Sequence, residues 1–269
     1  MKSHLIIDVS YFNFYRYHAT KNWYTKAHED ETFEKGYDWS QNTVYMQKFK
    51  KMYLSTLQKY IKKFKPNKII LARDCPRKDI WRMAIYPEYK GTRDEAYEKN
   101  QFMGGKVFKW AYANIIPELL KNPLYQQIKI DHLEADDIIY LCCKKIRTDP
   151  SNVINIISSD HDLLQIIDSS FNIQLYTANI KCYNNKAKGN ADICNFLKAI
   201  LGDVSDNIPK VFNGVGEKTA IKLYNDFNLL VSRFRKEPDS FLKYTKNRLL
   251  VDFKYIPLEL EKEHEKIFT

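Results

Sequence analysis

The 269-residue sequence predicts an α/β fold in which a mostly parallel central sheet carries helices on both faces. Short β-branched apolar runs alternate with longer segments in which apolar residues recur every three or four positions, and this alternation is typical of parallel sheets. Beyond Asn190 the pattern is entirely helical. We therefore expect a core domain at residues 1–189 and a helical subdomain with a C-terminal tail at residues 190–269.

The first part of the core is predicted to contain a strand, an insertion, a helix and a second strand. A strand at residues 5–7 opens the chain, and residues 20–43 are polar and unperiodic, which indicates a surface insertion. Residues 44–64 have the periodicity of an amphipathic helix, and Pro66 ends it before a strand at residues 69–72.

The remaining elements continue the same alternation. We predict strands at residues 128–130, 153–157 and 173–176, and helices at residues 107–120, 134–142, 191–201 and 218–227. The tail from about Asp252 is rich in lysine and gives little information about structure.

Residues 76–105 have a different composition, in which basic and aromatic side chains interleave. The basic residues are Arg77, Lys78, Arg82, Lys90, Arg93 and Lys99, and the aromatic residues are Trp81, Tyr86, Tyr89 and Tyr97. Stacking on aromatic rings together with phosphate contacts suits binding of single-stranded nucleic acid regardless of its sequence. A solvated helical hairpin with some exposed aromatic residues is the alternative.

Acidic residues follow the predicted strands, open the helix after the third strand and come just past the end of the helix at residues 191–201. They are Asp8, Asp74, Glu134, Asp136, Asp137, Asp160, Asp162, Asp203 and Asp206. Functional groups gather at the carboxyl ends of parallel strands, so we expect the strand-end acids to lie together. Two like charges 4 Å apart repel by about 1 kcal/mol in water and about 4 kcal/mol at an effective dielectric of 20. Divalent cations remove this repulsion, and all-oxygen ligands favour Mg²⁺ or Mn²⁺ over zinc.

Each acidic group has a simpler explanation when it is considered alone. Carboxylates are favoured in the first turn of a helix, which accounts for one or two of the acids at residues 134–137. Residues 203–206 by themselves form an ordinary Asp/Asn-rich turn. On an extended segment Asp160 and Asp162 would point to one side and His161 to the other, so we interpret His161 as structural.

The chain as a whole is basic, with 43 Lys and Arg against 33 Asp and Glu and a formal charge of +10. Such a surplus suits a polyanionic partner, either nucleic acid or an anionic membrane surface. No apolar run approaches the roughly 18 residues of a spanning helix, and Asp8 interrupts the N-terminal apolar stretch, so we expect neither a membrane partner nor a signal peptide. The five cysteines include no C-x-x-C pair, which indicates reduced thiols in a protein that is cytoplasmic and not secreted.

These motifs, in their order along the chain, resemble the flap endonuclease or 5′-3′ exonuclease family. The resemblance rests on Asp8, Asp74, EADD at 134–137, SSDHD at 158–162, GDVSDNIP at 202–209 and GVGEKTA at 214–220. The phage and bacterial branch is the most similar, because YPEYKGTR at residues 86–93 resembles its arch sequence. The match covers about residues 4–234, and the insertion at residues 20–43 is longer than the family leads us to expect.

The resemblance implies a PIN-like nuclease core, a helical arch at about residues 76–105 and a helix–turn–helix in the C-terminal subdomain. It implies two metal clusters, the first formed by Asp8, Asp74, Glu134, Asp136 and Asp137 and the second by Asp160, Asp162, Asp203 and Asp206. The expected cofactors are two or more Mg²⁺ ions, which Mn²⁺ can replace, together with K⁺ at the helix–turn–helix. Every acid that the family uses is present, which favours an active enzyme.

The resemblance also implies two-metal hydrolysis of phosphodiester bonds in DNA. Lys90 and Arg93 would be catalytic residues that steer the scissile phosphate and offset its charge in the transition state. The implied DNA-binding residues are Arg82, Tyr89, Gly214, Gly216, Lys218 and Thr219, and Tyr89 would stack on a base. The expected substrates are DNA with 5′ single-stranded flaps or 5′ ends, and RNA–DNA hybrids as well. We expect a monomer that removes primers or flaps in replication and repair, in the nucleoid or in a virus-infected host cell.

Four other classes compete with this interpretation. A branched-DNA-binding module without activity would lack metal ligands, whereas an RNase that acts on RNA–DNA hybrids would keep them. A PIN-type ribonuclease of a toxin system is much shorter and lacks both the arch and the helical DNA-binding element. A phosphatase-like hydrolase needs a D-x-D turn after the first strand, and residues 8–10 are Asp-Val-Ser instead.

Overall fold

The structure, a computed structural model, describes residues 1–167, 172–187 and 190–268. Its strands are β1 (Ser3–Asp8), β2 (Lys68–Ala72), β3 (Tyr125–Ile128), β4 (Val153–Ile157) and β5 (Asn172–Tyr176). Within the described residues they form one sheet in the order β3-β2-β1-β4-β5, and every neighbouring pair is parallel. The predicted α/β class with a parallel central sheet is therefore confirmed.

Helices surround the sheet and make up the C-terminal part. They are α1 (Val9–Ala27), α2 (Thr43–Phe64), α3 (Arg82–Ile85), α4 (Arg93–Lys99), α5 (Gly104–Asn114), α6 (Ile116–Leu119), α7 (Ala135–Ile146), α8 (Ala191–Leu201), α9 (Glu217–Asn225), α10 (Phe227–Lys236), α11 (Pro238–Val251) and α12 (Leu258–Ile267). In this described part of the chain, no helix has both the length and the apolar composition that crossing a membrane requires.

The sheet is covered on both faces because its strands alternate between two cores. Ile6 of β1 packs in one cluster with Ile138 and Ile139 of α7. Leu5 and Ile7 pack in the other cluster, together with α1 and α2. Successive side chains of a strand point to opposite faces, and burial of both faces explains why the strands are almost continuously apolar.

The register of the strands brings the acidic strand ends to one edge of the sheet. Asp8 pairs with Ala72 at the end of β2, and Ile7 pairs with Ile157 at the end of β4. Asp74 and Asp160 therefore follow within a few residues of the level at which β1 ends. This edge is where the acidic residues of separate segments meet.

Two predictions about the core differ from the structure. The insertion at residues 20–43 is not a loose surface segment, because α1 continues to Ala27 and Trp39 is buried against Tyr45 at a ring distance of 4.9 Å. Scattered aromatic residues have no period, yet each buries a large apolar area. The third strand lies at Tyr125–Ile128 rather than residues 128–130, because Ile128 is the residue that pairs with the end of β2.

The C-terminal residues divide between two environments. Helices α8–α11 pack around a cluster of their own that contains Phe212, whereas Leu260 of α12 joins the cluster of α7. The tail, which gave little information in sequence, thus belongs to the fold. The domain boundary after residue 189 stays a prediction, since residues 188–189 lie outside the described residues, as does the last residue of the predicted tail.

Candidate metal centre and nucleic-acid surface

Asp8 and Asp74 lie at the centre of the acidic edge. Asp8 ends β1 and caps α1, and it accepts hydrogen bonds from a backbone N–H of α1 at 2.9 Å and from the Ser158 hydroxyl at 3.1 Å. Asp74 accepts a hydrogen bond from the Ala135 N–H of α7 at 2.9 Å, and the Ser10 hydroxyl donates to its other oxygen. Elements far apart in sequence therefore fix the two carboxylates near each other.

The charges at this edge repel one another. Burial, and next the charge of Asp74, raises the pKa of Asp8 to about 7. The charge of Asp160 contributes to this rise, so the structure brings the acids that follow three strands within electrostatic reach. A cation at this position would favour the ionised carboxylates.

The start of α7 adds a compact group of three acids. One oxygen each of Glu134, Asp136 and Asp137 lies within 4.8 Å of the others. Burial, followed by the charges of Glu134 and Asp137, raises the pKa of Asp136 well above its usual value. A further cation beside Asp136 would favour its ionised form.

Asp137 lies behind this group, and hydrogen bonds engage both of its oxygens; its predicted role as a metal ligand stays a prediction. Arg82 donates to the two oxygens at 2.7 and 2.8 Å, and Trp81 Nε1 donates at 3.0 Å. Asp137 is completely buried. In this structure it is the partner of a buried arginine and not a free ligand. Spacing on a helix shows that two acids share a face, but it does not show which one turns inward.

Arg82 and Tyr89 are also buried, and their role as DNA contacts stays a prediction. Arg82 contacts Glu134 at 3.0 Å and donates to the Leu250 carbonyl at 2.7 Å, so it links α3 to α7 and α11. The Tyr89 hydroxyl lies 3.0 Å from both Glu134 and Asp206. These side chains position the acids, and neither offers a face for a base in this structure.

Lys90 and Arg93, the two predicted catalytic residues, lie beside the acidic group. The Lys90 ammonium contacts Glu134 and lies 3.8 Å from Asp206, and Arg93 lies 2.9 Å from Asp206. Burial alone would raise the pKa of Glu134, but Lys90 and Arg82 lower it to about 2. Asp206, which the sequence placed in the second cluster, is therefore held by the same cations as Glu134.

Asp160, Asp162 and Asp203 form a second group next to the first. Together with Asp8 they line a cavity of about 460 Å³. Lys198 of α8 contacts Asp162 and lies 2.9 Å from Asp203. Burial alone would raise the pKa of Asp203, but the charge of Lys198 lowers it to about 2.

The structure changes two details of this second group. Asp160 and Asp162 are not on an extended segment, because Asp160 caps a 3₁₀ turn at His161–Ile166 and accepts the Asp162 N–H at 2.9 Å. His161 is 2.6 Å from the Tyr183 hydroxyl, in line with a structural role. Sequence analysis missed Lys198, since a lysine on an amphipathic helix is typical of a solvated face. Its place five residues before Asp203 was the only signal.

The GVGEKTA segment forms an exposed turn that leads into α9. Gly214 has a φ of +69°, and Gly216 directly precedes the first residue of α9. Both glycines are exposed, as are Lys218 and Thr219, whereas Val215 is buried beneath them. A helix start that faces solvent next to a lysine can bind a phosphate.

The acidic edge fits hard divalent cations. The carboxylates that the structure brings towards a first ion are Asp8, Asp74, Glu134, Asp136 and Asp137, and those towards a second are Asp160, Asp162 and Asp203. Carboxylate oxygens are the ligands that Mg²⁺ and Mn²⁺ take in proteins. The raised pKa values of Asp8 and Asp136 indicate that the nearby lysines do not neutralise this edge.

Comparisons with known proteins give consistent matches. The family model for the "5′-3′ exonuclease, N-terminal resolvase-like domain" matches residues 3–192. A 5′-3′ exonuclease of Mycoplasmopsis pulmonis (strain UAB CTIP) is 30% identical over 244 residues, which cover 79% of this chain and 74% of the relative. The ribonuclease H of Enterobacteria phage T4 is 28% identical over 221 residues, which cover 76% of this chain and 71% of the relative. A match to DNA polymerase I of Bacillus subtilis (strain 168), 30% identical over 184 residues, covers 64% of this chain and 19% of the polymerase.

Solved structures share the fold along nearly the whole chain. They include a bacteriophage T5 flap endonuclease in a complex with DNA and metal ions, with a TM-score of 0.68 and 19% identity. They also include the T5 5′-exonuclease with bound zinc ions, with the same score and identity. Each alignment covers 98% of this chain and 97% of the neighbour.

Proposed function

The chain belongs to the 5′-3′ exonuclease family and is a structure-specific, divalent-metal-dependent 5′-nuclease; we propose that it cuts DNA near the junction of a 5′ single-stranded flap with a duplex and removes nucleotides from 5′ ends. The observation that carries this proposal is the meeting of Asp8, Asp74 and the first turn of α7 at one sheet edge, beside Lys90 and Arg93. Removal of primers or flaps in replication and repair is the role that this activity would serve.

Seven carboxylates would hold the metal ions. Asp8, Asp74, Glu134 and Asp136 belong to the first site and Asp160, Asp162 and Asp203 to the second, with Mg²⁺ as the proposed ion and Mn²⁺ as its substitute. When bound, a pair of ions supplies positive charge to the attacking and leaving oxygens of an in-line displacement. Hydroxyl groups of Ser10 and Ser158 orient Asp74 and Asp8, so these two ligands are fixed before substrate arrives.

Lys90 and Arg93 handle the scissile phosphate in this proposal. Both come from one short segment, and each contacts a carboxylate of the acidic edge. A phosphodiester entering this edge would compete with those carboxylates for the two cations. Lys90 and Arg93 would then donate hydrogen bonds to phosphate oxygens whose charge grows in the transition state.

The turn before α9 would contact the duplex. Its exposed glycines, the α9 N–H groups and the side chains of Lys218 and Thr219 can bind phosphates without reading base sequence. We place the proposed K⁺ at the carbonyl groups of the same turn. Arg82 and Tyr89 have no direct DNA contact in this proposal, because both are buried.

RNA–DNA hybrids are a second candidate substrate, favoured by one observation. A relative that matches 76% of this chain is named a ribonuclease H. Contacts directed at phosphates do not by themselves exclude a strand with 2′-hydroxyl groups. We further propose that the enzyme acts as a monomer in the cytoplasm, on DNA of a nucleoid or of an infected cell.

The decisive experiment measures cleavage of a labelled double-flap DNA in Mg²⁺ and in EDTA, by the wild type and by Asp74→Asn. We expect cutting near the junction that requires Mg²⁺ and is lost in Asp74→Asn. Asp131→Asn is the matched control, because the Asp131 side chain is 80% exposed. A parallel substrate with an RNA 5′ segment tests the hybrid. Tight flap binding without cutting in any divalent metal would remove the nuclease and leave a DNA-binding module.

A further inference from the structure

A cavity separate from the acidic edge lies between α1, the insertion and the residues that follow α4. It encloses about 370 Å³, and its lining includes Phe14, His18, Lys21, Lys35, Tyr97 and Phe102. This volume lies within the range of small-ligand sites, which is roughly 300–1,000 Å³. We call this cavity the α1 pocket.

The α1 pocket combines exposed aromatic rings with basic side chains. Phe14 is 42% exposed and Tyr97 is 39% exposed, and each ring lies 5.3 Å from Phe102. Lys21 and Lys35 are exposed, and none of the described residues that line the pocket is acidic. A group of exposed rings, unlike a single one, indicates a binding site. Rings beside lysines suit a planar ligand with negative charge, as a nucleotide is.

Two neighbouring helices lead from the acidic edge to the α1 pocket. Near the start of α1, the Ser10 hydroxyl donates to Asp74 and lies 3.2 Å from the Tyr112 hydroxyl of α5. Farther along α1, the His18 ring stacks against Phe102, which precedes α5. From Ser10 to His18 the helix advances by about 12 Å at 1.5 Å per residue. A single strand is more extended than a strand of a duplex, whose spacing is roughly 3.4 Å per nucleotide, so this distance spans at most about three or four nucleotides.

The long insertion forms one wall of the α1 pocket and is fixed to the core. Asp38 pairs with Lys106 of α5 at 2.7 Å, and the neighbouring Trp39 is almost completely buried. Lys35 therefore belongs to a wall that exists before any ligand binds. None of these residues takes part in the metal centre, so the metal chemistry does not explain the pocket.

We propose that the α1 pocket holds a nucleobase of the 5′ single strand, within about four nucleotides of the bond that is cut. The base stacks on Phe14 and Tyr97, and Lys21 and Lys35 contact the adjacent phosphates. Every base has a π face, so such stacking needs no particular sequence. The inference rests on the proposed function in one respect, because it takes a 5′ single strand as part of the substrate.

The test is a double-mutant cycle between the protein and the flap. Binding of a 5′-flap DNA is measured in EDTA by fluorescence polarisation, for the wild type and for Phe14→Ala/Tyr97→Ala. The flap is either intact or carries one abasic site at successive positions. We expect an abasic site at one position within about the first four nucleotides to weaken binding to the wild type by about fivefold or more, the lower limit for loss of one base–aromatic stack. The double variant should bind the intact and abasic flaps equally.

Tyr255→Ala is the matched control, since Tyr255 is 40% exposed and lies outside the pocket. In this variant an abasic site should weaken flap binding as much as it does in the wild type. If Phe14→Ala/Tyr97→Ala does not fold, Lys21→Ala/Lys35→Ala replaces it. Its flap binding should show a shallower salt dependence than that of the wild type. The proposal is wrong if an abasic site weakens flap binding equally in the wild type and the variant at every position. It is also wrong if an abasic site weakens the binding of neither protein.

The cycle requires no cleavage, so its outcome is separate from that of the nuclease assay. If the effect of the abasic site depends on its position and on Phe14 and Tyr97, but no metal supports cutting, the pocket proposal stands and the nuclease proposal is wrong. If the enzyme cuts at the junction but the abasic site has no such effect, the nuclease proposal stands and the pocket proposal is wrong.

Discussion

Individual lysines set the charge balance of the acidic edge before any ion binds. Lys90 lies between Glu134 and Asp206, and Lys198 holds the second acidic group in the same way. An opposite charge nearby favours the ionised carboxylate. The lysines therefore favour the ionised forms of Glu134 and Asp203 in the metal-free protein.

Replacement of Lys90 tests its catalytic role. We expect Lys90→Ala to lower kcat by about 10²- to 10³-fold, the usual loss when a group that stabilises transition-state charge is removed. The Kd for flap DNA in EDTA should change little, because other basic groups supply most of the affinity. Single-turnover cleavage and polarisation binding measure the two quantities. Lys78→Ala, an exposed lysine of the same segment, is the control. An unchanged kcat in Lys90→Ala would remove the residue from the mechanism.

His264 gives the folded protein a pH dependence of its own. Burial, followed by the charge of Lys145, lowers the pKa of His264 from 6.5 to about 4. The unfolded chain therefore binds a proton between pH 6.5 and 4 that the folded chain does not. The stabilisation is complete above pH 6.5 and is lost as the pH falls towards 4, by up to about 1.4 kcal/mol per pH unit. Urea unfolding in EDTA from pH 4.5 to 7.5 should show this loss in the wild type.

His264→Gln separates this contribution from that of the carboxylates. The variant keeps a polar side chain that does not titrate, so its free energy of unfolding should fall less steeply below pH 6.5. Parallel curves for the two proteins would contradict the assignment to His264.

At the scale of elements, what the sequence could predict depends on whether a pattern is local. Apolar runs and helical periodicity located four of the five strands and the long helix α2, because both signals lie within single segments. The burial of Trp39 and the packing of α12 on α7 come from contacts between distant segments. The basic and aromatic residues that interleave at 76–105 predict an exposed arch. In the structure, however, the side chains of Arg82 and Tyr89 turn inward and contact the acidic residues. Residue type alone does not distinguish a cation that meets phosphate from one that meets a buried carboxylate.

Arg82 joins three elements, and its replacement tests that interpretation. Arg82→Met should lower the free energy of unfolding by about 3–5 kcal/mol, because Asp137 would be left buried without its partner. Arg77→Met is the control, since Arg77 pairs with an Asp94 side chain that is 74% exposed, and such pairs contribute about 1 kcal/mol or less. Urea unfolding in EDTA measures both. Unchanged stability combined with weaker DNA binding would instead restore Arg82 as a DNA contact.

At the scale of the whole molecule, a net charge of +10 coexists with nine acids concentrated around one sheet edge. Although Arg82, Lys90, Arg93 and Lys198 lie among these acids, most of the basic surplus lies elsewhere, where it can attract a polyanion such as DNA. Long-range attraction of this kind is screened by salt, whereas carboxylates within a few ångströms of an ion are screened much less. DNA affinity and metal affinity should thus respond differently to ionic strength.

The exposed turn before α9 allows this division of charge to be measured. Each phosphate contact that releases a counterion contributes about −0.9 to the slope of log K against log salt for duplex DNA. If Lys218 makes one such contact, Lys218→Ala should make the slope shallower by about 0.9 and weaken binding to all duplex sequences alike. The metal concentration for half-maximal cleavage should not move, because Lys218 is not near the acidic edge in this assignment. Lys262→Ala on α12, also exposed, should leave the slope as it is in the wild type. Equal slopes for Lys218→Ala and the wild type would place the duplex on another surface, and a changed metal requirement would mean that the two charge systems are coupled.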